Sequence, residues 1–192
     1  MKKKVLLVGI TAAMSIGLAG VVVAVSASNG VLESRASNAV AGSIVFSRTT
    51  GEFTDLGDNI ASISGVTANG NTYYAVSRNI SDISGTNYIA QFGTGRGGYE
   101  NQYITFTNTK TDTSDFEFQG VTDIKVKTSA NTTLYVYACN DGKSFSSSIS
   151  VAGSTNPSKV SLGASYKYVR LGVANAFSRN IVSVELFYTC GD

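Results

Sequence analysis

Gly93, Gly95 and Gly98 in the stretch FGTGRGGYEN (Phe92 to Asn101) have the G-x-G-x-x-G spacing of loops that cradle a dinucleotide pyrophosphate. That chemistry needs a strand before the loop and a helix immediately after it, with the helix amino end facing the phosphates. YIAQF (Tyr88 to Phe92) reads as the strand, but YENQYITFTN leads into another strand, where Tyr103, Thr105 and Thr107 alternate with Ile104 and Phe106. The loop is therefore read as an inter-strand connection, and no nucleotide is expected on it. It can serve a different ligand. Gly93, Gly95, Gly97 and Gly98 allow close backbone approach. Arg96, Tyr99, Glu100 and Asn101 place a guanidinium, a ring, a carboxylate and an amide in one short segment. Sugars suit such a set, with flat rings for C–H faces and charged or amide groups for hydroxyls. The bland alternative is a solvated loop with ordinary turn chemistry. The adjacent Tyr73 and Tyr74 are further binding candidates, because alternation along a strand turns at least one of them outward.

Catalytic arrangements are harder to find. The chain has no histidine, which removes the usual general base, the usual partner of a nucleophilic serine or cysteine, and the commonest zinc ligand. Paired carboxylates could act on glycosides. Asp112, Asp115 and Glu117 are close in sequence, but Asp115 and Glu117 sit opposite Phe116 and Phe118 and read as the wet face of a strand. Glu185, opposite Val184 and Leu186, reads the same way. A non-enzyme is expected. LGDN (Leu56 to Asn59) and NDG (Asn140 to Gly142) offer oxygens for calcium, yet neither has the spaced acidic ladder of a dedicated loop. Both read as turns, so neither metal nor cofactor is expected. Cys139 and Cys190 end two late strands, LYVYAC and ELFYTC. A disulfide between them is chemically allowed in an exported chain; it would close a loop of about 50 residues and contribute about 3–4 kcal/mol. Free thiols are the alternative.

The elements that must carry these groups are strands. From Ile44 onward, short runs rich in Val, Ile, Tyr, Phe and Thr alternate with clusters of Ser, Asn, Gly and Asp. YITFT, DFEFQ and DIKVKT alternate apolar and polar residues, as half-buried antiparallel strands do. No segment after Ser43 holds helical spacing for three turns. The expected fold is all-β, an antiparallel β-sandwich spanning residues 44–192. Before it, Met1-Lys2-Lys3-Lys4 and the uncharged run Val5 to Ser28 have the build of a secretory signal peptide (1–27), cleaved after Ala27. Residues 28–43 read as a linker or short helix. A retained membrane anchor is the alternative, since the run approaches the roughly 20 residues that span a bilayer. Loss of Lys2, Lys3 and Lys4 leaves 12 basic residues against 13 acidic, a net charge of about −1 in place of +2. No basic field then remains for nucleic acid.

The last third carries a resemblance. Asn140, Asp141, Gly142 and Phe145 form a turn motif; Tyr168, Val169, Arg170 and Leu171 form a strand motif; Ile181, Glu185 and Leu186 lie in a closing strand. Together, over about residues 122–188, they resemble the discoidin-like (coagulation factor 5/8 C-terminal type) and related galactose-binding-like sandwiches. The resemblance implies a jelly-roll, galactose-binding-like fold. The family's ligand loops lie in the amino-terminal half, where no counterpart motif stands, and the tryptophan platforms common in carbohydrate-binding relatives are absent. The expected function is a secreted, non-catalytic module for an extracellular glycan or cell-surface polymer, bound by loops at one end of the sandwich. The alternative is a structural surface protein that self-associates.

Overall fold

A computed structural model describes residues 22–28, 31–37, 40–68, 70–81, 83–93, 102–108, 120–145, 148–173 and 179–190, with side chains described from Ala41 to Thr189. Every regular element among them is a strand. Strands β1 (Val22–Ser28) and β2 (Val31–Ser37) pair with each other as an antiparallel hairpin. Strand β3 (Val40–Ser47) follows. Within residues 28–43, read as a linker or short helix, the described residues 31–37 and 40–43 are strand, and β3 begins four residues before Ile44. The segment is rich in small residues and gives little periodic signal, so pairing decides its conformation rather than propensity.

Two larger antiparallel sheets make up the rest. The seven-stranded sheet runs, edge to edge, as β11 (Ser148–Gly153), β10 (Thr132–Cys139), β13 (Tyr168–Gly172), β8 (Tyr103–Thr107), β6 (Thr72–Arg78), β5 (Ile60–Val66) and β4 (Phe53–Gly57). The five-stranded sheet joins β12 (Val160–Tyr166), β9 (Val121–Thr128), β14 (Arg179–Cys190) and β3 in that order, with β7 (Ala90–Phe92) also paired to β14. Residues of both sheets bury one shared core. In β9, Ile124 and Val126 are buried while Lys127 is exposed; in β10, Leu134 and Val136 are buried. Across the core, the rings of Phe46 (β3) and Phe106 (β8) stand 5.2 Å apart, tilted by 45°. The architecture is all-β and sandwich-like.

Three local features differ from, or refine, the periodic reading. The segment YKYVRLGV is divided at Lys167, where the chain crosses from β12 in one sheet to β13 in the other. On β8 the residues expected to be wet are not: Thr105 and Thr107 are 0% exposed, as is Val76 beside Thr105 on β6. They occupy the middle of a seven-stranded sheet, and Thr105 Oγ1 donates to Val76 O at 3.5 Å, so the hydroxyl needs no water. LGDN forms the β4–β5 hairpin. Gly57 pairs with Ile60 around Asp58 and Asn59, both at positive φ (50° and 62°), as a two-residue type I′ turn requires.

Candidate functional site: an aromatic and guanidinium cleft on the seven-stranded sheet

Alternation in the seven-stranded sheet turns one set of side chains into the core and the other outward. On β10, Leu134 and Val136 go in, so Tyr135 and Tyr137 stand on the outer face. On β13, Val169 and Leu171 go in, which leaves Arg170 and Gly172 outside. On β8, Ile104 and Phe106 go in and Tyr103 is outside. Register then brings these residues together, since Tyr137 pairs with Arg170, and Gly172 pairs with both Tyr135 and Tyr103. Gly172 forms the floor of the gap. A Cβ there would lie 3.4 Å from Tyr137 Cε2 and 3.8 Å from Tyr103 Cβ. Its lack of a side chain keeps open a cleft of about 190 Å³ lined by Gln102, Tyr103, Tyr137, Phe145, Arg170 and Gly172. That is smaller than a drug-sized pocket of about 300 Å³ or more, so a single ring fits it better than an extended ligand.

The turn after β10 supplies one wall. The Asp141 carboxylate accepts from Lys143 N (2.9 Å) and Ser144 N (2.8 Å) at Oδ1, and from Ser144 Oγ (2.6 Å) at Oδ2. The side-chain bond from Ser144, then the backbone bonds from Ser144 and Lys143, hold this carboxyl far below the usual carboxylate range. Gly142 has φ of +70°, and a Cβ there would meet the Tyr168 ring at 3.0 Å, so glycine meets both the torsion and the close approach. Asn140 ties the same turn to the β12–β13 corner: its Oδ1 accepts from Lys167 N at 2.9 Å and its Nδ2 donates to Ser165 O at 3.3 Å. The result is a fixed position for Phe145. Its ring centroid lies 4.4 Å from the Arg170 guanidinium carbon, and that of Tyr103 lies 4.4 Å from the same atom. Each such contact contributes about 0.5–2 kcal/mol, more as water is excluded.

Gln102 connects this cleft to the glycine-rich loop. It is 3% exposed; Gly93 N donates to its Oε1 at 3.0 Å, and its Nε2 donates to Gly93 O at 2.8 Å. The loop therefore leaves and returns at the cleft wall. Arg96, Tyr99, Glu100 and Asn101 lie outside the described residues, as do Asp112, Asp115 and Glu117. The tyrosine pair separates as alternation requires. Tyr73 is partly buried and packs against the core. Tyr74 stands on the same outer face as the cleft, opposite Ser64 and Thr107, at the far end of β8 from Tyr103.

Other sequence-derived candidates fall elsewhere. Glu185 is on the outer face of the five-stranded sheet, 3.5 Å from Lys125 Nζ. Cys139 ends β10 as a buried free thiol; Cys190 ends β14 in the other sheet, and its side chain lies outside the described residues. No grouping of three or more metal-ligating His, Cys, Asp or Glu side chains occurs among the described residues. Tyr103, Tyr137 and Gln102 escaped the sequence reading, and Phe145 and Arg170 entered it only as fold motifs. One signal pointed to them: Tyr103, Tyr135 and Tyr137 are large rings at strand positions where alternation puts solvent. No family model, curated protein or solved structure matches the chain, so the cleft's own geometry carries the functional reading.

Proposed function

We propose that this chain is a secreted, non-catalytic β-sandwich of jelly-roll, galactose-binding-like type that binds an extracellular glycan or cell-surface polymer in the cleft over Gly172. The observation that carries the reading is the wall itself. Tyr103, Tyr137 and Phe145 present rings, Arg170 and Gln102 present polar groups, and the floor is a glycine. Rings offer C–H surfaces a flat partner, and guanidinium and amide groups suit hydroxyls. No carboxylate lines the cleft among the described residues, so glycoside chemistry by an acid and base pair has no support there. The basic, apolar leader supports export. Among the described residues no helix is long and apolar enough to cross a membrane.

The test is a screen of purified protein against glycans and cell-wall polysaccharides, with light scattering for mass. Saturable binding by a monomer is expected, with loss in Tyr137→Ala and in the loop double variant Arg96→Ala/Tyr99→Ala. Growth into large ordered species without glycan binding would instead identify a self-assembling surface subunit.

A further inference from the structure

The outer face of the seven-stranded sheet has a dry half and an open half, and the cleft lies at their border. On the β5, β6 and β8 side, the outward residues Ser62, Val76, Thr105 and Thr107 are no more than 1% exposed. On the β10 and β11 side, the outward residues Thr133, Ser148, Ser150 and Ala152 are all exposed. Tyr135 stands between the cleft and that open side. It is the direct cross-strand partner of Gly172 on β13 and of Ser150 on β11, and it is half-buried. β11 is the edge strand of the sheet.

Alternation puts Tyr135 on the outer face, because Leu134 and Val136 on either side of it are buried in the core. Its neighbours on β11 leave its ring uncovered. Ser150 opposite it, and Ser148 and Ala152 on the diagonals, are too short to lie over a ring. Tyr135 is thus a second flat surface one strand spacing, about 4.8 Å, from the glycine floor. Such a ring offers sugar C–H groups a partner and costs little side-chain entropy to hold. The cleft itself, at about 190 Å³, has room for one ring, and Phe145 stands at its Arg170 end. A further unit extending across the strands finds the outward side chains buried on the β8 and β6 side. On the other side it finds Tyr135 and then the low, exposed edge of β11.

We propose that the ligand is a chain of at least two sugar units, one in the cleft over Gly172 and the next stacked on Tyr135, with the chain leaving the sheet across Ser150. This rests on the glycan reading of the same cleft and adds to it a second subsite and a direction. The test is calorimetric titration of the purified protein with one-, two- and three-unit oligomers of β-1,4-linked glucose, galactose and N-acetylglucosamine. In at least one series the two-unit member is expected to bind about fivefold to tenfold more tightly than the single sugar. Tyr135→Ala is expected to bring the two-unit member down to the affinity of the single sugar, and Tyr135→Phe to keep the gain. Should Tyr135→Ala fail to fold, the length series of the unaltered protein still decides. Binding that does not tighten with length overturns the second subsite and leaves the glycan reading standing. A gain that survives Tyr135→Ala overturns it too, since the second unit then rests elsewhere. No binding in any series overturns both.

Discussion

Gly172, Arg170 and Asp141 each support the cleft by a different physical means, and each can be tested alone. Gly172→Val would place methyl groups in the gap between Tyr103 and Tyr137, where a Cβ already reaches ordinary contact distance. Glycan binding should fall beyond detection while the melting temperature moves little, because the position lies in a strand that tolerates a β-branched residue; circular dichroism melts beside titrations check both. Arg170→Met keeps the stem but removes the charge between two rings. It should destabilise the fold by about 1–2 kcal/mol, read from the urea midpoint at constant slope. Asp141 gives a pH signature. Its hydrogen bonds hold the carboxyl low, so its contribution is complete above the usual carboxylate range and is lost as pH falls from about 4 toward the lowered native value. The gap in melting temperature between the native protein and Asp141→Asn should thus be constant from about pH 7 to 5 and narrow below about pH 4.

Strands, rather than single residues, set the spacing of the cleft, and the core holds the strands. β14 is the most heavily paired element, joined to β9, β3 and β7, and Leu186 within it is 0% exposed. Leu186→Ala should cost about 2–5 kcal/mol through the cavity it leaves, measured by chemical denaturation. Glycan affinity per folded molecule should not change, since β14 lies in the opposite sheet. Alternation in DIKVKT, LYVYAC and YITFT was legible from sequence because each strand has one face on the core, and apolar residues at every second position mark that face. The same alternation already placed Tyr103 and Tyr137 outward. It could not show that they meet, because β8 and β10 are separated in the sheet by β13, which comes later in the chain than either. Nor could it show that Thr105 is dry, because burial at the middle of a wide sheet depends on what lies around it.

At the scale of the whole molecule, export and assembly are the open choices, and each has a direct readout. Amino-terminal sequencing of the exported protein should begin at Ser28. Cleavage there would cut β1 before its last residue and part Ala27 from Leu32, while Ser28 and its partner Val31 both stay on the processed chain. The melting temperature of the processed chain should match that of the full chain, since the described residues of the shared core run from Ile44 onward. Composition and periodicity alone were enough to determine an all-β chain with a leader-like start, no histidine chemistry, and turns at Asn140 to Gly142 and Leu56 to Asn59. These are properties of neighbours in sequence: a turn needs a few residues, and a strand face needs a period of two. Only the tertiary structure decided that Gln102 clasps the base of the glycine loop, that Phe145 and Tyr103 enclose Arg170, and that Gly172 leaves the space between them. Those contacts join residues from two strands and two connecting segments, and it is strand order and register, set by burial of the shared core, that bring them within reach of one ligand.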